Sequence, residues 1–302
     1  MSLMSSERFA LGIDIGGTHL RMGLISPSGE LFCPEKQSSS VLAGNDPTTL
    51  LGDIILDYMC RNGTKKQVVA ICIGFPATVD KARETVLSAP NVQGFDGVPV
   101  GRLLSARLGL PVQIERDVNL LLLDDLKKLR IQSVDVVACY VGTGIGNAIL
   151  LDGKLLVGHN GVAGELGHIP FGDESVVCGC GNAGCAEALV GGLYLAKLCR
   201  ETFAGSPIEE LFTRHGGHPL LTQYVERLGR VIATEINLID PETVLLGGGV
   251  LQMRGFPIEK LKKCILAHVR NPLPHNNLTI YSSVATDGVT GAGILAWRHL
   301  TS

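Results

Sequence analysis

The chain carries the same opening scheme twice, and that repeat constrains its fold more than any other feature. "RFALGIDIGGTHLRMGLISPSGELF" runs from an apolar segment through Gly16-Gly17-Thr18 into a second apolar segment and a turn at "SPSGE". Near the middle, "VVACYVGTGIGNAILLDGKLL" does the same, with Gly142-Thr143-Gly144 between apolar segments and a turn at Asp152-Gly153. Gly16 and Gly142 hold the same place in the two copies, so the spacing predicts a duplicated domain, each copy opening with a β-hairpin.

Between and after these hairpins, strands and helices alternate. "TTLLGDIILDYMCRN" has helical periodicity, "QVVAICIGFPATVD" reads as a buried strand ending in a loop, and "NLLLLDDLKKL" reads as a helix from about Asn119. "LLTQYVERLGRVIATEINLIDPETVLLGGGVL" reads as a long amphipathic helix closed by Pro241, then a strand and three glycines, and "GVTGAGILAWRHL" reads as a last helix. The class is α/β. A length of 302 residues accommodates two domains. The duplication places them at 1–116 plus 288–302, a smaller N-terminal α/β domain, and at 117–287, a larger C-terminal one.

Charge excludes some functions. Twenty-six Lys and Arg nearly balance twenty-nine Asp and Glu, which argues against a broad nucleic-acid-binding surface. No apolar run is long enough to span a bilayer, no secretory leader opens the sequence, and "MSLMSS" reads as a disordered start. The cysteines number nine, an odd count, and Cys72 and Cys139 sit in apolar runs, which suits a reducing compartment and a cytoplasmic location.

"GELGHIPFGDESVVCGCGNAGCAE" departs from that cysteine pattern. His168, Cys178, Cys180 and Cys185 supply one imidazole and three thiolates, a set suited to structural, tetrahedral Zn²⁺. The bland alternative is a loop of free thiols or a redox pair. A zinc hydrolase is disfavoured, because four protein ligands leave no position for a reacting water. Glu165 and Glu187 flank the loop, where a metal would hold their carboxylates ready for the hydroxyls of a small polar ligand. The alternative for both is a solvated loop acid.

The glycine clusters suggest a nucleotide. Gly16, Gly17 and Thr18, and Gly142, Thr143 and Gly144, follow strands where successive N–H groups can converge on phosphate oxygens. Gly247, Gly248 and Gly249 form a third cluster after a strand, where a flat base could lie close. Asp14 precedes the first cluster and could hold Mg²⁺ through water. No lysine is followed by Ser or Thr, which excludes the GxxxxGK[ST] loop. His19 and Arg21, just past the first cluster, read as phosphate contacts or as solvated side chains. Asp117, in "IERDVN", could accept the hydroxyl proton in a phosphoryl transfer. It could equally cap the helix that follows, in competition with Asn119.

On these residues the chain resembles the ROK sugar kinases over nearly its whole length. "DIGGTHLR" and "GTGIG" look like their two phosphate motifs, and "GELGHIPFGD…CGCGNAGCAE" like their zinc-and-sugar signature. The resemblance implies an actin-like, hexokinase-type fold of two duplicated α/β domains with an inter-domain cleft closing on ATP, Mg²⁺ and a hexose. It implies Asp117 as catalytic base toward a sugar hydroxyl, usually O6, and sugar contacts from Asn91, Glu165, His168 and Glu187. One ring nitrogen of His168 would bind zinc and the other a sugar hydroxyl. A homodimer is implied as well, with neither nucleic acid nor membrane as partner.

Two positions depart from the family's pattern. Arg116 stands where an asparagine usually meets the sugar, and Asn147 where a glycine is usual. With "GFPATVDKARETVLSAPN", "RDVN", "GVAGELGHIP" and "NPLPH", the chain looks most like the D-allose kinase branch, Arg116 joining the sugar-binding set. Glucokinase, fructokinase and N-acetylglucosamine or N-acetylmannosamine kinase are the alternatives. The two departures also leave open a non-catalytic sugar sensor. Family repressors carry a helix-turn-helix before the first phosphate motif, for which the thirteen residues preceding Asp14 are too few.

Overall fold

A computed structural model describes residues 7–172, 175–270 and 278–301. The opening "MSLMSS" and the "NPLPH" stretch lie outside the described residues. The chain divides into two compact units, one of residues 1–131, 157–163 and 285–302, the other of 132–156 and 164–284.

The first unit is built on a five-stranded sheet. Strands β1 (Phe9–Ile15), β2 (His19–Ile25) and β3 (Leu31–Ser38) form an antiparallel meander. After α1 (Pro47–Arg61), β4 (Val68–Phe75) joins β1 in parallel. The short pair β5 (Thr78–Val79) and β6 (Val86–Ser88) and helix α2 (Val100–Leu108) lead to β7 (Val112–Arg116), parallel to β4, which runs straight into α3 (Asp117–Lys128). The sheet order is β3-β2-β1-β4-β7. β1 reads "FALGIDI" and is buried at every position, as a central strand covered on both faces must be.

The second unit repeats the plan. Strands β8 (Val136–Val141), β9 (Ile145–Leu151) and β10 (Lys154–Leu155) form the meander. Helices α4 (Glu187–Val190), α5 (Gly192–Thr202), α6 (Leu211–His215) and α7 (Pro219–Ile239) precede β11 (Thr243–Gly247), and α8 (Ile258–His268) precedes β12 (Thr279–Ser282). The order β10-β9-β8-β11-β12 and its strand directions match the first sheet position for position. The repeat read in the sequence is therefore a duplicated α/β architecture, the actin-like, hexokinase-type fold.

Each unit has its own apolar core. Phe9, Ile13, Leu51, Ile55, Tyr58 and Phe95 are among those of the first, and Val141, Leu195, Leu228, Ile232 and Leu246 among those of the second. The last helix, α9 (Val289–Thr301), returns to the first unit and packs on β1, β4 and α3. Here its glycines matter: a Cβ on Gly291 would overlap the carbonyl of Leu120, so only glycine lets α3 and α9 approach this closely.

The boundary at 116/117 is corrected by this packing. Leu120 of α3 is fully buried with Ala10, Ala70, Ala292 and Ala296, so α3 belongs to the first unit, together with residues 157–163 and 285–287. Among the described residues no helix is long and apolar enough to cross a membrane.

Candidate active site

The first glycine cluster is the hairpin turn between β1 and β2. Gly16 N–H donates to His19 O at 2.8 Å, and Ser39 Oγ donates to Gly17 O at 2.9 Å. The hairpin register sets Asp14 opposite Arg21, whose Nη1 lies 3.3 Å from Asp14 Oδ2. Arg21 thus has a carboxylate partner rather than an outward, solvated position. The N–H of Gly288, at the start of α9, also donates to the Asp14 carboxylate. Burial pushes the Asp14 pKa up, with Arg21 opposing it and Asp287 adding to it. A Cβ at Gly74 or Gly288 would lie 3.6 or 3.5 Å from Asp14 Oδ1, so two bare positions flank that oxygen. The site fits a hydrated Mg²⁺, with Asp14 as its carboxylate.

Asp117 is the first residue of α3, one position past Arg116, which is the N-cap. The helix begins two residues earlier than its apolar pattern suggests, and Asp117 is not the cap. Its Oδ1 accepts the Val118 N–H at 2.8 Å. Burial first, then the negative charge of Asp14, push the Asp117 carboxyl up to about 7, against the pull of Val118 N–H and Arg116. A carboxyl with that value can exchange a proton near neutral pH.

Asn91 lies beside the same turn, since a Cβ on Gly17 would stand 3.7 Å from the Asn91 carbonyl. Arg116 is buried, and its Nη1 donates to Ala163 O at 2.7 Å. The first unit therefore gathers Asp14, Gly16, Gly17, Thr18, Asn91, Arg116 and Asp117 around the ends of β1 and β7.

In the second unit the turn Gly142-Thr143-Gly144 joins β8 and β9. Its carbonyls are held by the start of α5: Gly192 N–H donates to Gly142 O and Leu193 N–H to Thr143 O, both at 2.9 Å. A Cβ on Gly142 would meet nothing within 4 Å, and neither would one on Gly249. Neither glycine is required by a neighbour or by a positive φ, which suits a loop that lets phosphate or a base approach its backbone. Gly247 and Gly248 differ. A Cβ on Gly247 would stand 2.5 Å from Ser283 Cβ, and one on Gly248 would overlap Val141, so packing demands both, and at Gly248 the φ of +92° demands glycine as well.

The cysteine loop folds as two short antiparallel contacts, Pro170 with Cys185 and Val177 with Ala183. A tight turn joins Cys178 to Asn182, the Cys178 N–H donating to Asn182 O at 2.7 Å, with Gly181 at φ +94°. The ligand atoms of His168, Cys178, Cys180 and Cys185 all lie within 4.8 Å of one another. Cys178 Sγ is 3.6 Å from His168 Nδ1, and Cys180 Sγ is 3.7 Å from Cys185 Sγ. Ligands about 2.1–2.3 Å from a tetrahedral centre stand about 3.7 Å apart, so the set fits zinc. Nδ1 faces the sulfurs, while Nε2 lies 3.8 Å from Glu165 Oε2. Glu187 opens α4, and its Oε2 accepts the Ile145 N–H at 2.8 Å, against the Gly142-Thr143-Gly144 turn.

Asn147 takes no part in this arrangement. It is buried in β9, its Nδ2 donating to Ala138 O at 3.0 Å and to Glu235 Oε1 of α7 at 2.7 Å. The departure from glycine supplies a partner for a buried glutamate, so it gives no support to a sensor. Sequence reasoning missed Glu115 and Arg83. Glu115 Oε1 accepts the Arg116 N–H at 2.8 Å and Asn119 Nδ2 at 2.9 Å, and lies 3.1 Å from Arg83 Nη2. Glu115 sits within the quoted "IERDVN", but nothing in the spacing connects it to Arg83.

Comparisons with known proteins agree with this architecture. The chain is 30% identical to N-acetylmannosamine kinase of Salmonella typhimurium, over 95% of this chain and 97% of that one. It is 29% identical to the glucokinase of Thermotoga maritima, over 94% of each chain. The structure of a ROK family glucokinase from Streptomyces griseus, solved with glucose and AMPPNP, superposes with a TM-score of 0.76 at 25% identity, covering 96% of this chain and 99% of that one. The ROK family pattern itself matches residues 10–299, and the chain belongs to the ROK family.

Proposed function

We propose that D-allose is the sugar on which this ATP-dependent sugar kinase acts, and that the product is D-allose 6-phosphate. The observation that carries the kinase chemistry is the Asp117 carboxyl, poised near pH 7 beside Asp14 and the first phosphate turn. As a carboxylate it takes the proton of the 6-hydroxyl while the oxygen attacks the γ-phosphate. Asp14 would hold Mg²⁺ through water, and the ion, when bound, neutralises charge on the transferred phosphoryl group.

Hexose contacts are proposed from Asn91, Arg116 and Asp117 of the first unit and from Glu165, His168 and Glu187 of the second. ATP contacts are proposed from the three glycine clusters, Gly16–Thr18, Gly142–Gly144 and Gly247–Gly249. Zinc would be held by His168 Nδ1 and the three thiolates, its role being to fix Glu165, His168 and Glu187 in place. His168 Nε2, on the side of the ring away from the sulfurs, remains the nitrogen offered to a hydroxyl.

Allose is favoured over glucose by Arg116, which replaces the usual asparagine next to the base. Its guanidinium, fixed on Ala163 O, gives the base a different neighbour from that of a glucose-type site. The alternatives are glucokinase, fructokinase or N-acetylhexosamine kinase activity, two of which are named in the relatives. A cytoplasmic homodimer fits this reading.

ADP release with ATP and Mg²⁺ across D-allose, D-glucose, D-fructose, N-acetylglucosamine and N-acetylmannosamine tests the assignment. The highest kcat/KM is expected for allose. A higher value with another hexose discards allose and keeps the kinase. No ADP with any sugar, from zinc-loaded protein, overturns the kinase.

A further inference from the structure

The stretch "VDKARETV" has no role in the chemistry described so far, yet it is laid against the strand that delivers the base. Asp80 Oδ1 accepts the N–H groups of Glu84 and Thr85, both at 2.9 Å, closing a turn in which Arg83 adopts φ +60°. That left-handed conformation is costly for an arginine. The turn docks on β7, where Ile114 N–H donates to Arg83 O at 2.9 Å. The Arg83 side chain runs inward, and its Nη2 reaches Glu115 Oε1 at 3.1 Å.

Glu115 is 3% exposed and sits where β7 becomes α3. One carboxylate oxygen accepts both the Arg116 N–H, the last of the strand, and Asn119 Nδ2, in the first turn of the helix. Strand end and helix start are thereby held by a single atom, with Asp117 between the two bonded residues. A buried carboxylate without a cation would take up a proton and lose most of that accepting power. Arg83 supplies the cation and opposes the rise, but burial outweighs it and leaves the Glu115 pKa raised. The Arg83 Nε, Nη1 and Nη2 atoms are all buried with no hydrogen-bond partner, the Nη2 contact with Glu115 being an ion pair, so the side chain is retained at a desolvation cost. The pairing with Glu115 is what that cost secures.

We propose that Glu115, paired with Arg83, is a positioning residue that aims the Asp117 carboxylate by fixing the turn between β7 and α3. The proposal rests on the reading of Asp117 as the base. It gives the "VDKARETV" turn a function, which is to carry one cation to the back of the catalytic strand. The groups facing Glu115 are Arg83, Arg116 and Asn119, with the Cys72 thiol on the neighbouring strand β4.

The test uses the full zinc-loaded chain and the variants Glu115→Gln, Arg83→Met and Arg83→Lys. Glutamine keeps the shape of Glu115 but cannot balance Arg83. Both E115Q and R83M are expected to lower kcat about tenfold or more, with KM for ATP within about twofold of wild type, while R83K retains most activity. Carboxyl ¹³C NMR, with the Asp117 signal assigned by its loss in D117N, is expected to show the Asp117 titration displaced by about half a pH unit or more in E115Q and R83M. Should either variant fail to fold, E115L/R83M, which removes both buried charges together, takes its place with the same expected losses. Wild-type kcat and an unmoved Asp117 titration in these variants overturn the proposal. A wild-type chain that turns over no hexose defeats the kinase reading instead, and the NMR titration still decides the positioning role.

Discussion

The Glu187 carboxylate accepts the Ile145 N–H at 2.8 Å and lies directly against Gly144. One oxygen of a proposed sugar ligand is therefore spent holding the second glycine turn, and Cys185, two residues before it, belongs to the metal loop. Glu187, the Gly142–Gly144 turn and the cysteine loop are mechanically joined in the second unit.

Gly144→Ala probes that link, because the new Cβ would overlap the Glu187 carboxylate. Displacing Glu187 by about an ångström is expected to lower kcat/KM for the hexose about 100-fold. Zinc content should stay at one per chain. Kinetics within twofold of wild type would show that Glu187 moves aside freely and that the turn does not depend on it.

Asp117 dictates the pH dependence. In the proposed role as base the active form is the carboxylate, and burial beside Asp14 raises its pKa to about 7. Turnover is therefore expected to rise with pH up to about 7 and level off above it. In Asp117→Asn, kcat should fall roughly 10²-fold or more, and the rising limb should disappear from what activity remains. A pH profile unchanged by the substitution would assign the limb to another group.

The zinc loop predicts a stability effect separable from chemistry. Removing the metal with a chelator, or replacing Cys180 by Ser, is expected to lower the melting temperature and abolish hexose binding. Nucleotide binding should persist in the same sample. Calorimetry reads these three quantities, atomic absorption confirms that the metal is gone, and full hexose affinity in metal-free protein would defeat the scaffold role.

Glu235 dictates a second pH dependence, of stability. Burial pushes its carboxyl up to about 8 from an ordinary 4.5, while the bond from Asn147 opposes the shift. Between these values the folded chain keeps a proton that the unfolded chain has released, so stability falls as pH rises through that window. Above about 8 this contribution is flat. Glu235→Gln keeps the bond to Asn147 and cannot ionise. It should match wild type near pH 4 and melt several degrees higher at pH 9. Parallel melting curves across that range would mean that the buried carboxyl does not titrate there.

Much of the architecture is legible in local sequence. β1 and β8 are recognisable because each is a continuous apolar run ending in glycines, and hairpin formation depends on near neighbours alone. The histidine–cysteine cluster is legible for the same reason: Cys178, Cys180 and Cys185 lie within one turn-rich segment, and His168 is ten residues away. Placing Asp117 at a strand end needed only the apolar run before it.

The sequence by itself determined the duplication, the three glycine clusters, the histidine–cysteine cluster and the place of Asp117 after a strand, because each is encoded by residues close in the chain. Only the tertiary structure decided that α3 belongs to the first unit, since that follows from Leu120 meeting α9, far away in sequence. It alone decided that Asn147 answers a buried glutamate 88 residues on, that Gly248 is bare because of Val141, and that Arg83 stands behind Glu115. Each of these rests on a long-range contact between side chain or backbone atoms, whose free energy exists only once the sheets have formed and water has left the interior.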